Sequence, residues 1–390
     1  MDTLTLYDKY VMATYTRLPL ILVRGEGIKV WDSSGREYLD FFPGWAVSGI
    51  GHCHPRVVGA IQRQSKKIIH VSNNYYNELQ GRLAQKISEN SFSGKVFFCN
   101  SGAEANESAI KLARAYGHPD RYEIISMDNS FHGRTLATMT ATGQEKYHKG
   151  FGPMPKGFVH VPFNDMEAIK AKISKRTIAI LIELIQGEGG INIASKRFVK
   201  DLRKFCTDRD ILLLIDEVQT GMGRTGRFFS YQHYAIEPDA MTLAKTLGGG
   251  MPIGAMVASE KFASVLKPGT HASTFGGSPI VSAASLAVFE AIEKDGLIKN
   301  AEEMGEYLKG KLNKLKNRHS IIKEVRGMGL MIGVELKSNG KDIVEACIDK
   351  GLLINCTHNT VLRLMPPMIV GKKDIDRAIS ILDEVLKGGI

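Results

Sequence analysis

Short, mainly apolar runs recur along this chain at 95–99 (KVFFC), 122–127 (YEIISM), 158–162 (FVHVP), 178–184 (IAILIEL), 211–216 (ILLLID), 240–244 (AMTLA) and 254–259 (GAMVAS). Runs of this length suit strands buried on both faces. Between most of them apolar residues return at helical spacing, as in 104–116 and 196–209. The alternation predicts an α/β architecture: a mostly parallel sheet of seven strands with helices on both faces. Nearer the N-terminus, GEGIKVWDSSGREYLDF predicts two strands about a turn at Asp32–Gly35, and 55–67 and 78–90 read as helices. After Pro279 the texture changes. A long helical region, 279–318, precedes strand-like runs at 321–325, 330–336 and 352–356 and a helix over 373–387. Three parts are expected: an N-terminal arm with part of a small domain (1–42), a large domain (43–278) and a small α+β domain (279–390).

Composition narrows the class. The apolar fraction of 43% and charged fraction of 24% are those of an ordinary globular protein. No apolar run reaches the roughly 18 residues of a membrane helix. The N-terminus carries acids and lacks a basic-then-apolar signal pattern, so the cytoplasm is the expected location. Five cysteines without a CxxC pair point to neither a disulfide framework nor a zinc site, and no metal is expected. The formal charge of +10 is spread along the chain. It can steer anionic substrates, but no aromatic-interleaved basic stripe suggests nucleic acid.

The candidate chemistry lies at strand ends. The run 211–215 ends in Asp216 and Glu217, and the run 240–244 ends at Lys245 before LGGG. Open α/β sheets bind ligands beyond the C-terminal ends of their strands. An acid that keeps a ring nitrogen protonated, beside an amine that forms a Schiff base, is what pyridoxal phosphate chemistry requires. A surface acid and a surface lysine are the competing reading. In NSGAEANESAIKLARA, Ser101, Gly102 and Ala103 open a helix whose free N–H groups could take a phosphate, or Ser101 is a plain N-cap. In SFHGRT, Phe131 could stack on a flat ring and Arg134 could grip a carboxylate. IELIQGEGG sets Glu183, Gln186 and Glu188 beside glycines; HASTFGGSP offers the Ser273 and Thr274 hydroxyls; VLRLMPP offers Arg363. GMGRTG at 221–226 matches the dinucleotide fingerprint literally and raises an NAD-dependent dehydrogenase as an alternative. Its context is poor, because DEVQT separates it from the strand and RFFSYQHY is a weak helix start.

Taken in order, SGAEAN, FHGR, ELIQGEGG, DEVQTGMGRTG, AKTLGGGMPIGA, STFGG and RLMPP resemble the class III, pyridoxal-phosphate-dependent aminotransferases of fold type I. GHCHP at 51–55 and RGMGLMIGVEL at 326–336 carry the same likeness, which covers nearly the whole chain. The resemblance implies that Lys245 forms the Schiff base and moves the proton. It implies that Asp216 pairs with the ring nitrogen, Gln219 bonds the phenolic oxygen and Phe131 stacks on the ring. Ser101, Gly102 and Ala103 would bind phosphate, and Thr274 would reach the cofactor of the other subunit of a homodimer. On the substrate side it implies Arg134 and Ser273 as contacts, Glu188 and Arg363 as a switch between two substrates, and Tyr15 near the donor's α-amino group. The wording is most like family members that move the terminal amino group of N-acetylornithine to 2-oxoglutarate. Ornithine, 4-aminobutyrate and succinyl-diaminopimelate are the alternative donors. Trp45, where relatives carry a smaller aliphatic residue or Tyr, bears on that choice, and Ala103 stands where a Thr is common.

Overall fold

The computed structural model describes residues 2–388. Its centre is a seven-stranded sheet in the order Gly94–Cys99, Gly254–Ser259, Ala240–Leu243, Leu212–Asp216, Thr177–Ile182, Glu123–Met127, Phe158–Val161. Gly254–Ser259 runs antiparallel to both neighbours, and the other pairings are parallel. Side chains alternate across each strand. Leu213, Ile215, Ile180 and Ile182 therefore enter the main core cluster, while Leu212, Leu214, Ala179 and Leu181 enter a second cluster on the opposite face. Burying each such side chain contributes roughly 1.5–3 kcal/mol before the cost of ordering it. The helix Gly102–Gly117 packs Ala109, Leu112 and Ala113 into the second cluster. Its small residues let the helix axis lie close to the strands that carry the site.

A second, four-stranded antiparallel sheet contains Ile322–Met328, Met331–Leu336, Val361–Leu364 and Asn355–Thr357, in that order. The helical region after Pro279 is two helices, Pro279–Lys294 and Leu297–Arg318. The break falls at Gly296, whose φ of +64° suits a residue without Cβ. The predicted strand 352–356 divides as well. Leu352–Leu353 pairs in parallel with Glu37–Asp40 and so joins the N-terminal strands Leu22–Glu26 and Lys29–Asp32, whereas Asn355–Thr357 stays with the C-terminal sheet. The helix Lys341–Asp349 and the strand Val361–Leu364 were not foreseen. The first helix, Thr3–Tyr10, buries none of its residues.

Candidate active site

The C-terminal ends of Leu212–Asp216 and Ala240–Leu243 open onto a cavity of about 430 Å³. Asp216 is in register with Thr242, and Lys245 follows at the start of a short 3-10 turn with φ of +49°. A left-handed conformation at a non-glycine residue is strained, and such strain concentrates at functional positions.

Asp216 is 3% exposed and its carboxylate is held by three donors. Asn106 Nδ2 and His132 Nδ1 reach Oδ2 at 2.7 and 2.8 Å, and the Val218 N–H reaches Oδ1 at 3.0 Å. The carboxylate accepts, so His132 Nδ1 carries its proton; His132 Nε2 is buried without a partner. Asn106 is fixed in turn, with Nδ2 also donating to the His132 carbonyl at 2.7 Å and Oδ1 accepting from Thr242 Oγ1 at 2.7 Å. Asp216 is thus oriented by groups from the helix, the 131–134 loop and the neighbouring strand.

Glu183, at the end of Thr177–Ile182, accepts from the Phe131 N–H at 3.0 Å and the Gly187 N–H at 3.1 Å. Burial pushes its carboxyl above the ordinary range. Lys245 makes no hydrogen bond or ion pair among the described residues. Burial pulls its ammonium below the usual lysine value, against the charges of Glu188, Asp216 and Glu183. A half-buried amine with a depressed pKa and no partner among the described residues is a candidate nucleophile and base.

Ser101, Gly102 and Ala103 also line the cavity. Ser101 caps its helix by accepting from the Glu104 N–H at 3.1 Å. The first N–H groups of a helix have no partner within it, so those of Gly102 and Ala103 at the cavity lining could take an anion. Phe131 lines the same wall, and Gln219 presents a buried Oε1 without a donor. A Cβ at Gly187 would lie 1.9 Å from that oxygen, so glycine there makes room for Gln219. The set could hold an anion, a flat ring and a protonated ring nitrogen.

Arg134 reaches the cavity from an exposed position, with its guanidinium 3.9 Å from the Tyr147 ring centroid and no ion pair among the described residues. Glu188 also lines the cavity and bonds Arg363 Nη1 at 2.6 Å. Burial works to raise the Glu188 carboxyl, but the charge and hydrogen bond of Arg363 outweigh it and hold the group below its ordinary value. Arg363 stands behind Glu188 rather than in the cavity wall. Ser273 is one step removed, its Oγ accepting from Asn100 Nδ2 at 3.2 Å. Thr274 is exposed and Tyr15 is 69% exposed, and neither lines the cavity.

His132, Asn106 and Asn355 were not singled out from the sequence. His132 sat within FHGR beside Phe131, and Asn106 is a polar residue on the apolar face of its helix; either was a usable signal. The second acid of the Asp-Glu pair leaves the site. Glu217 is 1% exposed and takes Thr220 Oγ1, Ser230 Oγ at 2.7 Å and the Tyr231 N–H at 3.0 Å. GMGRTG forms turns, with Met222, Gly223 and Gly226 at positive φ, and the segment beyond it makes only the 3-10 turn Ser230–Tyr234. No α-helix opens there, so the dinucleotide reading fails on the requirement that made it specific.

The family model for class III aminotransferases, which are pyridoxal-phosphate-dependent in general, matches residues 10–386. The acetylornithine aminotransferase of Caldanaerobacter subterraneus subsp. tengcongensis is 54% identical over 388 residues, covering 98% of each chain. That of Methanocaldococcus jannaschii is 53% identical over 97% of this chain and 96% of its own. Among solved structures, ornithine aminotransferase from Toxoplasma gondii superposes with a TM-score of 0.95 at 32% identity, covering 99% of this chain and 94% of that one. Acetylornithine aminotransferase from Elizabethkingia anophelis gives 0.88 at 31%, covering 99% and 98%. With the match running nearly end to end, through the strand ends that carry Asp216 and Lys245, the chain belongs to the class III aminotransferases.

Proposed function

We propose that this aminotransferase moves the terminal amino group of N-acetylornithine to 2-oxoglutarate, giving N-acetylglutamate semialdehyde and glutamate, a step of arginine biosynthesis. The observation that carries the reading is the contrast between two arginines. Arg134 lines the cavity with no ion pair among the described residues, and Arg363 is masked by Glu188 at 2.6 Å. A donor whose reacting amine lies far from its carboxylate needs one cation, at Arg134, and a neutral wall near the amine. Glutamate carries a second carboxylate beside its amine and needs Arg363 as well. One cavity serves both if Glu188 moves.

The residues present fit pyridoxal phosphate. Asp216 is a buried carboxylate with fixed donors, Gln219 Oε1 and His132 Nε2 have no partner among the described residues, and a helix N-terminus lines the same cavity. Ser101, Gly102 and Ala103 would hold the phosphate, Phe131 the ring face, Asp216 the ring nitrogen and Gln219 the phenolic oxygen. Bound there, the cofactor would supply a carbonyl that condenses with amines and a ring that accepts electrons. Lys245 Nζ would anchor it, then take the proton from the amine-bearing carbon of the donor. Asp216 would meet the ring nitrogen with its carboxylate already oriented by three donors, Asn106, His132 and the Val218 N–H.

The reading extends to assembly and place. Ile68, Ile69, Tyr75, Tyr76 and Phe275 are exposed large apolar side chains, and Phe275 adjoins Thr274. An exposed apolar patch of this kind is what a subunit interface covers. It supports a homodimer in which Thr274 serves the neighbouring subunit's cofactor and Ser273 and Tyr15 lie nearer substrate than in one chain. The pairing of Leu352–Leu353 with Glu37–Asp40 supports grouping residues 1–42 with 279–390 around the large domain, 43–278. No helix among the described residues is long and apolar enough to cross a membrane. The five cysteines are unpaired, which suits a reducing cytoplasm.

The test is the visible spectrum of the purified holoenzyme with N-acetylornithine and no 2-oxoglutarate. Conversion of the yellow cofactor to its amine form supports the assignment. Conversion by ornithine or 4-aminobutyrate alone moves the donor and points to Trp45, which stands edge-on to Phe42 at 5.9 Å. A protein that pyridoxal phosphate cannot turn yellow refutes the cofactor.

A further inference from the structure

Arg363 is 1% exposed and its guanidinium is held on three sides. Nη1 donates to Glu188 Oε1 at 2.6 Å and to the Gly187 carbonyl at 3.1 Å. Nε and Nη2 both donate to Asn355 Oδ1, at 2.9 and 2.5 Å. The Phe42 ring centroid lies 4.6 Å from Cζ. One edge of the fork is thus committed to a neutral amide and the other to a carboxylate.

The two partners differ in how they are mounted. Asn355 and Arg363 are register partners on adjacent antiparallel strands, so their Cα atoms are fixed opposite one another. Glu188 lies on the turn 187–190. The backbone of that turn is tied by Glu183 to the Gly187 N–H at 3.1 Å, by Thr357 Oγ1 to the Glu188 carbonyl at 2.7 Å, and by Arg326 Nε to the Gly190 carbonyl at 3.0 Å. With the main chain held at three points, the part able to move is the Glu188 side chain.

We infer that Asn355 is a specificity-determining residue for the glutamate half of the reaction: it keeps Arg363 in place through a neutral acceptor, so that the guanidinium charge is available once Glu188 turns away. The inference rests on the exchange between Glu188 and an incoming carboxylate proposed above. A carboxylate at position 355 would neutralise Arg363 in both settings, and the α-carboxylate of glutamate would meet a pair with no net charge. An apolar residue there would preserve the charge but leave Nε and Nη2 without a fixed acceptor, and the planar fork would lose its orientation. The donor half-reaction, in which Glu188 itself holds Arg363 Nη1, depends on both properties less.

The experiment follows the two half-reactions of the holoenzyme separately by absorbance, with glutamate alone and with N-acetylornithine alone. N355D should lower kcat/KM for glutamate roughly 10- to 100-fold while the donor half-reaction stays within about twofold. N355L should lie between N355D and the parent, and N355Q, which keeps a neutral acceptor, should restore much of the glutamate reaction even if N355D folds poorly. Equal losses in both half-reactions for all three variants, or an unaffected glutamate reaction in N355D, would overturn the inference. E188A separates the two ideas. If it fails to divide the half-reactions, the exchange falls and the role of Asn355 with it; if it divides them and N355D does not, only the role of Asn355 falls.

Discussion

Replacing Asn106 with alanine removes a side chain that serves three buried groups at once. Its Nδ2 donates to Asp216 Oδ2 and to the His132 carbonyl, and its Oδ1 accepts the Thr242 hydroxyl, all at 2.7 Å. A lost charge-assisted bond costs about 1.5–3 kcal/mol and each orphaned neutral group about 1 kcal/mol, which gives about 3–5 kcal/mol in all. Unfolding entropy of about 2.1 cal/mol/K per residue converts this, for a chain of 390 residues, to a Tm about 4–6 °C lower. T242V is the control. It removes only the hydroxyl bonded to Asn106 Oδ1, so its loss should be about 1 kcal/mol and its shift about 1 °C. Circular dichroism melts of the two cofactor-free proteins make the comparison. Fluorescence titration with pyridoxal phosphate should also show weaker binding by N106A than by T242V, because Asp216 loses a donor only in the former. If N106A melts within a degree of T242V, the three-way anchoring of Asp216 is wrong.

Other consequences are more direct. K245A should abolish turnover, and D216N should lower kcat by orders of magnitude; substantial activity in either assay would remove that residue from its role. Burial holds Lys245 below the ordinary lysine value, so its neutral form accumulates at lower pH than usual. In the cofactor-free protein, its modification by an amine-reactive reagent, followed by mass spectrometry, should reach half its maximal rate below pH ~10.4. A midpoint at or above that value contradicts the site's electrostatics. G187A should displace Gln219, whose Oε1 lies 1.9 Å from the added Cβ, and shift the absorption maximum of the bound cofactor; an unchanged spectrum would mean that Gln219 does not face it.

The central sheet was legible because its strands are buried on both faces, which leaves runs such as Ile211–Ile215 with no polar residue to obscure them. Asp216 and Lys245 were legible for the same reason: each is the first charged residue after such a run. Glu217 shows the limit. It adjoins Asp216, but successive side chains on an extended backbone point to opposite sides, and its oxygens go to Thr220, Ser230 and Tyr231 instead of the cavity. Val361–Leu364 was hard to see as a strand because it is only four residues long and its one polar residue, Arg363, is buried in the pairing with Met331–Leu336 and Asn355–Thr357. Asn355 falls inside the strand-like run 352–356, but the role argued for it exists only once Arg363 stands opposite. Tyr15 and Thr274 were reached through family likeness, and a single chain does not bring them to the cavity.

The antiparallel strand Gly254–Ser259 has a consequence for the order of events during synthesis. Gly94–Cys99 is the edge strand that leads into the helix Gly102–Gly117, and its one neighbour in the sheet is Gly254–Ser259. On the ribosome, the segment that opens that helix emerges early and has no sheet partner until the chain has passed Lys245 and turned back. Such a long-range closure is slow and leaves an apolar edge exposed meanwhile. A nascent chain halted before residue 254 would therefore carry every group of the Asp216 anchor, and the lysine too, without a seated helix terminus beside them. Completion of one reversed strand is what brings a set of correct residues together around one cavity.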